Sequence, residues 1–280
     1  MQWLCLFERP LERVPVRPIV AGLAAAGGLA ILLAGERCRP LRPARRRLAD
    51  ETRNLVLGVL RSSVVQTIDK PFREALARQA VGREHGLVQK LRAPWWVRYT
   101  ASFLLLDYSM NLRHVLTPKV PLLWRLHLAY HVDLKLTATT VLRFHMADML
   151  VSLLWRAPQV RCIGPSLRAL AAWESFFFAS VLFHHSNLRP PRRPEAQLEL
   201  VLTTPRMHGI HHQAERSCAN PNWSGGINWW DRLHGTYRME VPPAGVPIGV
   251  PAGIARFRIE DLIRLPLAKQ QDAWGTGVQA

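Results

Sequence analysis

The sequence predicts an all-α chain, an integral membrane helical protein with a cytoplasmic helical cap that carries a histidine cluster. Three observations lead there. Apolar runs near bilayer length alternate with basic segments, no stretch shows the period-two alternation of a strand, and histidines at helical spacing fall just beyond the apolar runs. A chain of 280 residues, 49% hydrophobic, is long enough to bury a sizeable core, and one main domain is the simpler reading.

The first element is the stretch from Pro18 to Gly35, which holds no charge and as a helix spans about 27 Å, close to the hydrocarbon thickness of a bilayer. It reads as a transmembrane anchor rather than a cleaved leader, because Glu8 and Glu12 precede it and no small-x-small cleavage site follows. Arg9, Arg13 and Arg17 lie before it, whereas Arg37, Arg39, Arg42, Arg45, Arg46, Arg47 and Arg53 lie after it. By the positive-inside rule the following chain is cytoplasmic.

Leu55 to Ile68 reads as a membrane-embedded or interfacial helix. Asp69 to Ala93 reads as a helix that Pro94 stops, with Trp95 and Trp96 at headgroup level. Tyr99 to Leu112 re-enters the membrane and carries one acid, Asp107, which is costly at such depth unless paired or functional. Phe144 to Trp155 and Cys162 to Phe183 read as a helical hairpin separated by Arg156, Pro158 and Arg161. Polar, Pro-rich chain follows Leu188, and Ile259 to Leu265 is a short amphipathic helix. The expected organisation is an N-terminal segment over 1–17, the anchor over 18–35, a basic cytoplasmic loop over 36–54, the membrane domain with the histidine motifs over 55–240 and a Pro/Gly-rich tail over 241–280.

The charge balance excludes one class of function. With 37 basic against 20 acidic residues the net charge is +17, which calls for a negative partner. The basic residues flank apolar runs and no aromatic stripe interleaves them, so the partner is an anionic membrane and not nucleic acid. The cysteines, Cys5, Cys38, Cys162 and Cys218, form no CxxC pair, so neither a disulfide framework nor a thiolate zinc site is indicated.

The 11 histidines carry the chemistry. His127 and His131, four residues apart, share one helix face and are spaced to chelate one ion. His208, His211 and His212 repeat this at i, i+3 and i+4, and the adjacent pair points about 100° apart, so the triplet serves one ion with two rings and offers the third to another. His114, His145 and His185 sit singly at the ends of apolar runs, whereas His85 is assigned no role. Imidazole-only sites suit Fe, Zn or Cu.

At these residues the chain resembles the bacterial sterol desaturase branch of the fatty-acid hydroxylase superfamily. The likeness rests on Pro121-Leu-Leu-Trp-Arg-Leu-His127, Thr139-Thr-Val-Leu-Arg-Phe-His145, His185-Ser-Asn-Leu-Arg189, Thr204-Pro-Arg-Met-His-Gly-Ile-His-His212 and Trp230-Asp-Arg-Leu-His-Gly-Thr-Tyr237, in the family's order. It runs from about Ile19 to Lys269. The resemblance implies a membrane-bound oxidoreductase of lipid biosynthesis, in the bacterial inner membrane with its site facing the cytoplasm. It also implies two iron ions, or one if ligands are missing, a lipid or sterol-like substrate hydroxylated or desaturated with O2, and an electron-transfer protein as partner. The implied metal ligands are His114, His127, His131, His145, His185, His208, His211 and His212.

Departures from the family pattern bear on activity. Its HxxxH motif reads His114-Val-Leu-Thr-Pro118, and its HxxHH motif reads His127-Leu-Ala-Tyr130-His131. Pro118 has no donor, and it is expected to push Thr117 out of the helix that carries His114. Tyr130 stands within a helix and can turn toward the same cavity, where a phenolate is a known iron ligand. Further departures are Val132-Asp133 for Ser-Asp, Met146-Ala147-Asp148 for Pro-Leu-Glu and Trp223-Ser224 for Tyr-Gly. Asp107, Tyr130, Asp133 and Asp231 are the candidate outer partners of the ligands. For Asp231 a salt bridge with Arg232 or a helix cap is the alternative. A membrane pseudoenzyme with one metal or none is the second reading of the whole chain.

Overall fold

A computed structural model describes residues 18–43, 48–213, 221–239, 248–250 and 258–268. The segment 1–17, most of the Pro/Gly-rich stretch, Cys5 and Cys218 lie outside these residues. Every named element is helical, and the described residues pair as strands only in three isolated bridges, Pro40 with Leu188, Leu202 with Ile227 and Gln213 with Ile248.

Helix α1 (Pro18–Cys38) takes up the first apolar run. It leaves Val20, Leu23 and Ile31 exposed and packs Leu29 and Leu32 against Val141, Val181 and Leu182. Among the described residues no helix is long and apolar enough to cross a membrane.

The basic loop expected over 36–54 is not a loose loop. Helix α1 continues to Cys38, α2 (Leu48–Val64) begins inside the same span, and residues 39–42 are strapped to the body. Glu36 is buried and accepts from the backbone N–H groups of Ala138 (2.7 Å) and Asn187 (2.5 Å). The Leu41 N–H donates to the Asn187 carbonyl (2.7 Å), and the Arg42 N–H to the Asn187 side-chain oxygen (2.9 Å). A buried carboxylate needs such donors, and they draw the chain inward.

Helix α2 passes through a π turn (Val65–Asp69) into α3 (Lys70–Gly82). Along α2, Leu55, Val56, Val59 and Leu60 are exposed. The helix expected to reach Ala93 stops at Gly82. The reason is a close backbone approach: Gly86 (φ 106°) lies against Gly164 (φ 69°), and a Cβ on Gly86 would meet Gly164 atoms at 2.7 Å. The N–H groups of Leu87 and Val88 pair there with the carbonyls of Cys162 (2.8 Å) and Ile163 (2.9 Å).

Helix α4 (Trp95–Leu116) leads through a 3₁₀ turn (Thr117–Lys119) into α5 (Pro121–His131). Thr117 keeps helical dihedrals (φ −52°, ψ −51°), so Pro118 tightens the helix end rather than expelling its predecessor. After the 3₁₀ segment Ala138–Arg143, α6 (Met146–Ile163) and α7 (Leu167–His185) form the expected hairpin. Its turn lies at Gly164, not at 156–161. Arg156 and Pro158 lie within α6, because the Arg156 guanidinium is buried against Gln159 (2.7 Å), Glu174 (3.1 Å) and the Trp173 ring, while left-handed Gly164 ends the helix. Short helices α8 (Arg192–Leu198), α9 (Pro205–His211), α10 (Trp229–Leu233) and α11 (Ile259–Arg264) complete the chain.

Ala77, Val88, Leu106, Val160, Ile163, Leu170 and Trp173 join α3, α4, α6 and α7 into one core. A second core holds α5 through Leu128, Ala129 and Val132 against Leu57, Val250, Leu262 and Leu265. Together they fix the ends of α4, α5 and α7 around α9.

Candidate metal centre

Four helices deliver imidazoles to one buried volume. The C-terminal turn of α4 brings His114, α5 brings His127 and His131, the end of α7 brings His184 and His185, and α9 brings His208 and His211 with His212 as its cap. Ring centroids lie 4.8 Å apart for His127 and His131 and for His114 and His211, 4.2 Å for His131 and His212, and 4.1 Å for His184 and His208. Two trios of donor atoms result, His114 with His131 and His211, and His184 with His185 and His208, each within 4.8 Å. Gly209 permits this packing of α9, since a Cβ there would meet the buried Arg42 guanidinium at 2.5 Å.

The hydrogen-bond inventory tests whether the residues fit a metal. Buried polar atoms are nearly always paired, and an unpaired one costs about 1–3 kcal/mol. Here both nitrogens of His127, Nε2 of His131 and His211, and Nδ1 of His184, His208 and His212 are buried without a partner. Such a set is unfavourable in a sealed core and suitable around a cation that takes one lone pair from each neutral ring, the other nitrogen of that ring keeping its proton. The site fits a metal.

The opposite ring nitrogens are held by backbone carbonyls. Nδ1 of His114 lies 2.6 Å from the Trp223 oxygen, Nδ1 of His185 2.7 Å from that of Val181, and Nδ1 of His211 3.2 Å from that of Pro221. A carbonyl can only accept, so each Nδ1 carries the proton and each Nε2 keeps its lone pair for a ligand role. The Trp223 ring stands edge-on to both His114 and His211 and closes one side of the volume.

Burial keeps the rings in their ligand form. It holds His131 down to about 3, with His114 adding repulsion, and it holds His127, His208, His211 and His212 well below the ordinary imidazole range, with neighbouring rings adding to the shift. Neutral rings are what a cation binds. Tyr130 is also buried, which pushes its phenol well above 10, opposed in part by the charge of Arg61.

The residues singled out in the sequence divide into those the fold brings together and those it does not. His114, His127, His131, His185, His208, His211 and His212 share the site. His145 lies apart: it caps α6, Nδ1 accepting from the Ala147 N–H (3.1 Å), and Nε2 donates to the Ile263 carbonyl (3.0 Å), so both nitrogens are used. Pro118 is exposed in its 3₁₀ turn. Among the four outer candidates Tyr130 alone touches a site imidazole, its hydroxyl contacting His185 Nε2.

The acids organise backbone instead. Asp107 accepts from Ile227 N–H (3.1 Å) and from the indoles of Trp230 (2.7 Å) and Trp173 (3.3 Å). Asp133 accepts from the Thr140 hydroxyl (2.7 Å) and pairs with Arg143 (3.2 Å). Asp231 accepts from the N–H groups of Trp223 (2.8 Å) and Ser224 (2.9 Å) and from the Thr236 hydroxyl (2.7 Å). That is neither a bond to an imidazole nor a pairing with Arg232.

His184 is the site residue that sequence reasoning missed. The signal was present, because adjacent histidines at a helix end diverge by about 100° and both reach a cavity that the end projects into, the argument that applies to His211 and His212.

Residues 99–236 match the sequence profile of the fatty acid hydroxylase family, a span that contains every histidine of both trios. The chain is 28% identical over 155 residues to human alkylglycerol monooxygenase, covering 52% of this chain and 32% of that protein. It is 25% identical over 164 residues to an ornithine lipid hydroxylase of Rhizobium tropici, covering 58% and 48%. The matches thus span about a third to a half of these relatives. No solved structure matches the chain.

Proposed function

This chain belongs to the fatty-acid hydroxylase and sterol desaturase superfamily, and from that premise we propose that it is a membrane-bound, iron-dependent oxidoreductase that hydroxylates or desaturates a C–H bond of a lipid. The observation that carries the reading is the pair of buried histidine trios, His114 with His131 and His211, and His184 with His185 and His208. His127 and His212 stand beside them as further donors. Iron held there would supply the dioxygen and one-electron chemistry that an unactivated C–H bond requires. For hydroxylation the balance is one O2, two electrons and two protons giving the alcohol and one water. The electrons come from an electron-transfer protein.

The chain's own residues prepare that chemistry. The carbonyls of Trp223, Val181 and Pro221 fix three rings with Nε2 inward, and burial keeps the imidazoles neutral. Trp124, Phe144 and Trp223 pack around the rings and limit water. A relative named for an alkylglycerol and another named for an ornithine lipid support an amphiphilic substrate that enters from a bilayer. The apolar face of α1 serves as the anchor, with the site on the cytoplasmic side by the distribution of arginines around residues 18–35.

Two measurements test this. Lipid profiling of cells with and without the gene should reveal a hydroxylated or unsaturated lipid that depends on it, and the purified chain should carry iron. The exposed position of Pro118, where the family pattern has a ligand, favours a second reading, a pseudoenzyme with an incomplete site. Stoichiometric iron with no lipid product supports that second reading, and the absence of any metal from folded protein rejects the oxidoreductase.

A further inference from the structure

Resting on the metal-site reading above, we propose that Tyr130 is itself a metal ligand, its phenolate oxygen joining His184, His185 and His208 as the fourth donor of that trio. The argument begins with one lone pair. His185 Nδ1 is committed to the Val181 carbonyl at 2.7 Å, so the ring offers a single acceptor site at Nε2. Two polar atoms crowd it: the Tyr130 hydroxyl, in direct contact, and His208 Nε2 at 2.8 Å. His208 Nε2 is in turn 3.1 Å from His212 Nε2. A lone pair accepts one proton, and His208 Nε2 as an N–H has only one proton to give. No assignment of protons therefore satisfies the line from Tyr130 through His185 and His208 to His212. A cation among them satisfies every member, since each then points a lone pair at positive charge.

The placement of Tyr130 supports the role. It lies on the inward face of α5 between His127 and His131, is buried, and stacks on Phe144 with ring centroids 4.3 Å apart. The Arg61 guanidinium sits over the far ring, 5.6 Å from the Phe144 centroid. Its oxygen lies against His185 Nε2, within the cluster. On binding, the phenol O–H bond breaks, an oxygen–metal bond forms, and the proton leaves to solvent, with no change of oxidation state. An anionic oxygen donor also favours a trivalent over a divalent ion, because it adds a negative charge next to the metal. This trio is therefore the one expected to hold ferric iron.

The signature of such a site is optical. Phenolate bound to ferric iron absorbs in the visible by ligand-to-metal charge transfer, and imidazole alone does not. Of the four tyrosines, Tyr108 pairs with Trp230 and His234, Tyr237 lies under Arg232, and Tyr99 is four turns of α4 from His114, so a band has one available source. The experiment is iron loading of the full-length protein in detergent, with metal per chain, visible absorption and resonance Raman read together in the ferric state. The expected result is iron with a charge-transfer band and tyrosinate Raman modes in wild type. Tyr130→Phe should keep its fold and iron while losing the band, and Tyr130→His should bind iron without it. Iron bound by wild type with no band overturns the ligand role while leaving the metal site standing, and a band that survives Tyr130→Phe overturns it as well. Folded wild type that takes up no iron removes the oxidoreductase reading and this inference together.

Discussion

The carboxylate of Asp231 and the imidazole of His114 share no contact, yet the first positions the second through one peptide. Asp231 holds the N–H groups of Trp223 and Ser224, and the Trp223 carbonyl holds His114 Nδ1 at 2.6 Å. The carboxylate is fully buried, so every acceptor lone pair it loses exposes a backbone donor to an apolar surrounding.

Asp231→Asn presents an amide N–H₂ toward one of those donors. We expect a loss of about 2 kcal/mol in stability and a drop in metal affinity of about tenfold or more, as for other outer partners of metal ligands. Thermal denaturation of the metal-free form and a metal titration separate the two effects. Full metal content at unchanged affinity would show that His114 is oriented without the Trp223 peptide.

His184 and His145 should behave oppositely. His184→Ala removes a donor from a trio and is expected to lower bound metal, whereas His145→Ala should leave metal per chain unchanged. Losing the α6 cap at His145 should instead cost about 1 kcal/mol of stability. Equal metal loss in the two variants would contradict the arrangement of the site.

Pro118→His introduces a ring on an exposed 3₁₀ turn, away from the buried nitrogens. Metal content measured by elemental analysis should match wild type. A gain of one metal per two chains or more would mean that the end of α4 rearranges to present position 118 to the site.

Acid should destabilise the metal-free protein. Burial holds folded His131 down to about 3, so between that value and the ordinary imidazole value of about 6.5 the unfolded chain binds a proton that the folded chain refuses. Stability is therefore complete above about pH 6.5 and falls as pH drops, by up to about 1.4 kcal/mol per pH unit for each such ring. Melting of chelator-treated protein at pH 7.5, 6.5 and 5.5 reads this directly. A midpoint that does not move would mean that the rings are solvated rather than buried.

Spacing along the chain determined what spacing can determine. The i, i+4 separation of His127 and His131 and the i, i+3, i+4 pattern of His208, His211 and His212 place those rings on common helix faces, and the 3.6-residue turn makes that a local property. The all-helical class followed likewise from apolar runs without strand alternation. Which faces meet is not local. The Gly86–Gly164 contact, the Glu36 strap and the turn at Gly164 are set by packing between distant segments, so the helix ends fell elsewhere than the charges of 36–54 and 156–161 and the proline at 94 suggested. His145 and His184 exchanged places for the same reason, one consumed by α6 and Ile263, the other turned inward by the end of α7. The partners that hold His114, His185 and His211 are backbone carbonyls, which every residue carries, so no side-chain pattern marks them. Only the tertiary structure brings a given carbonyl, or the Tyr130 oxygen, to a given ring.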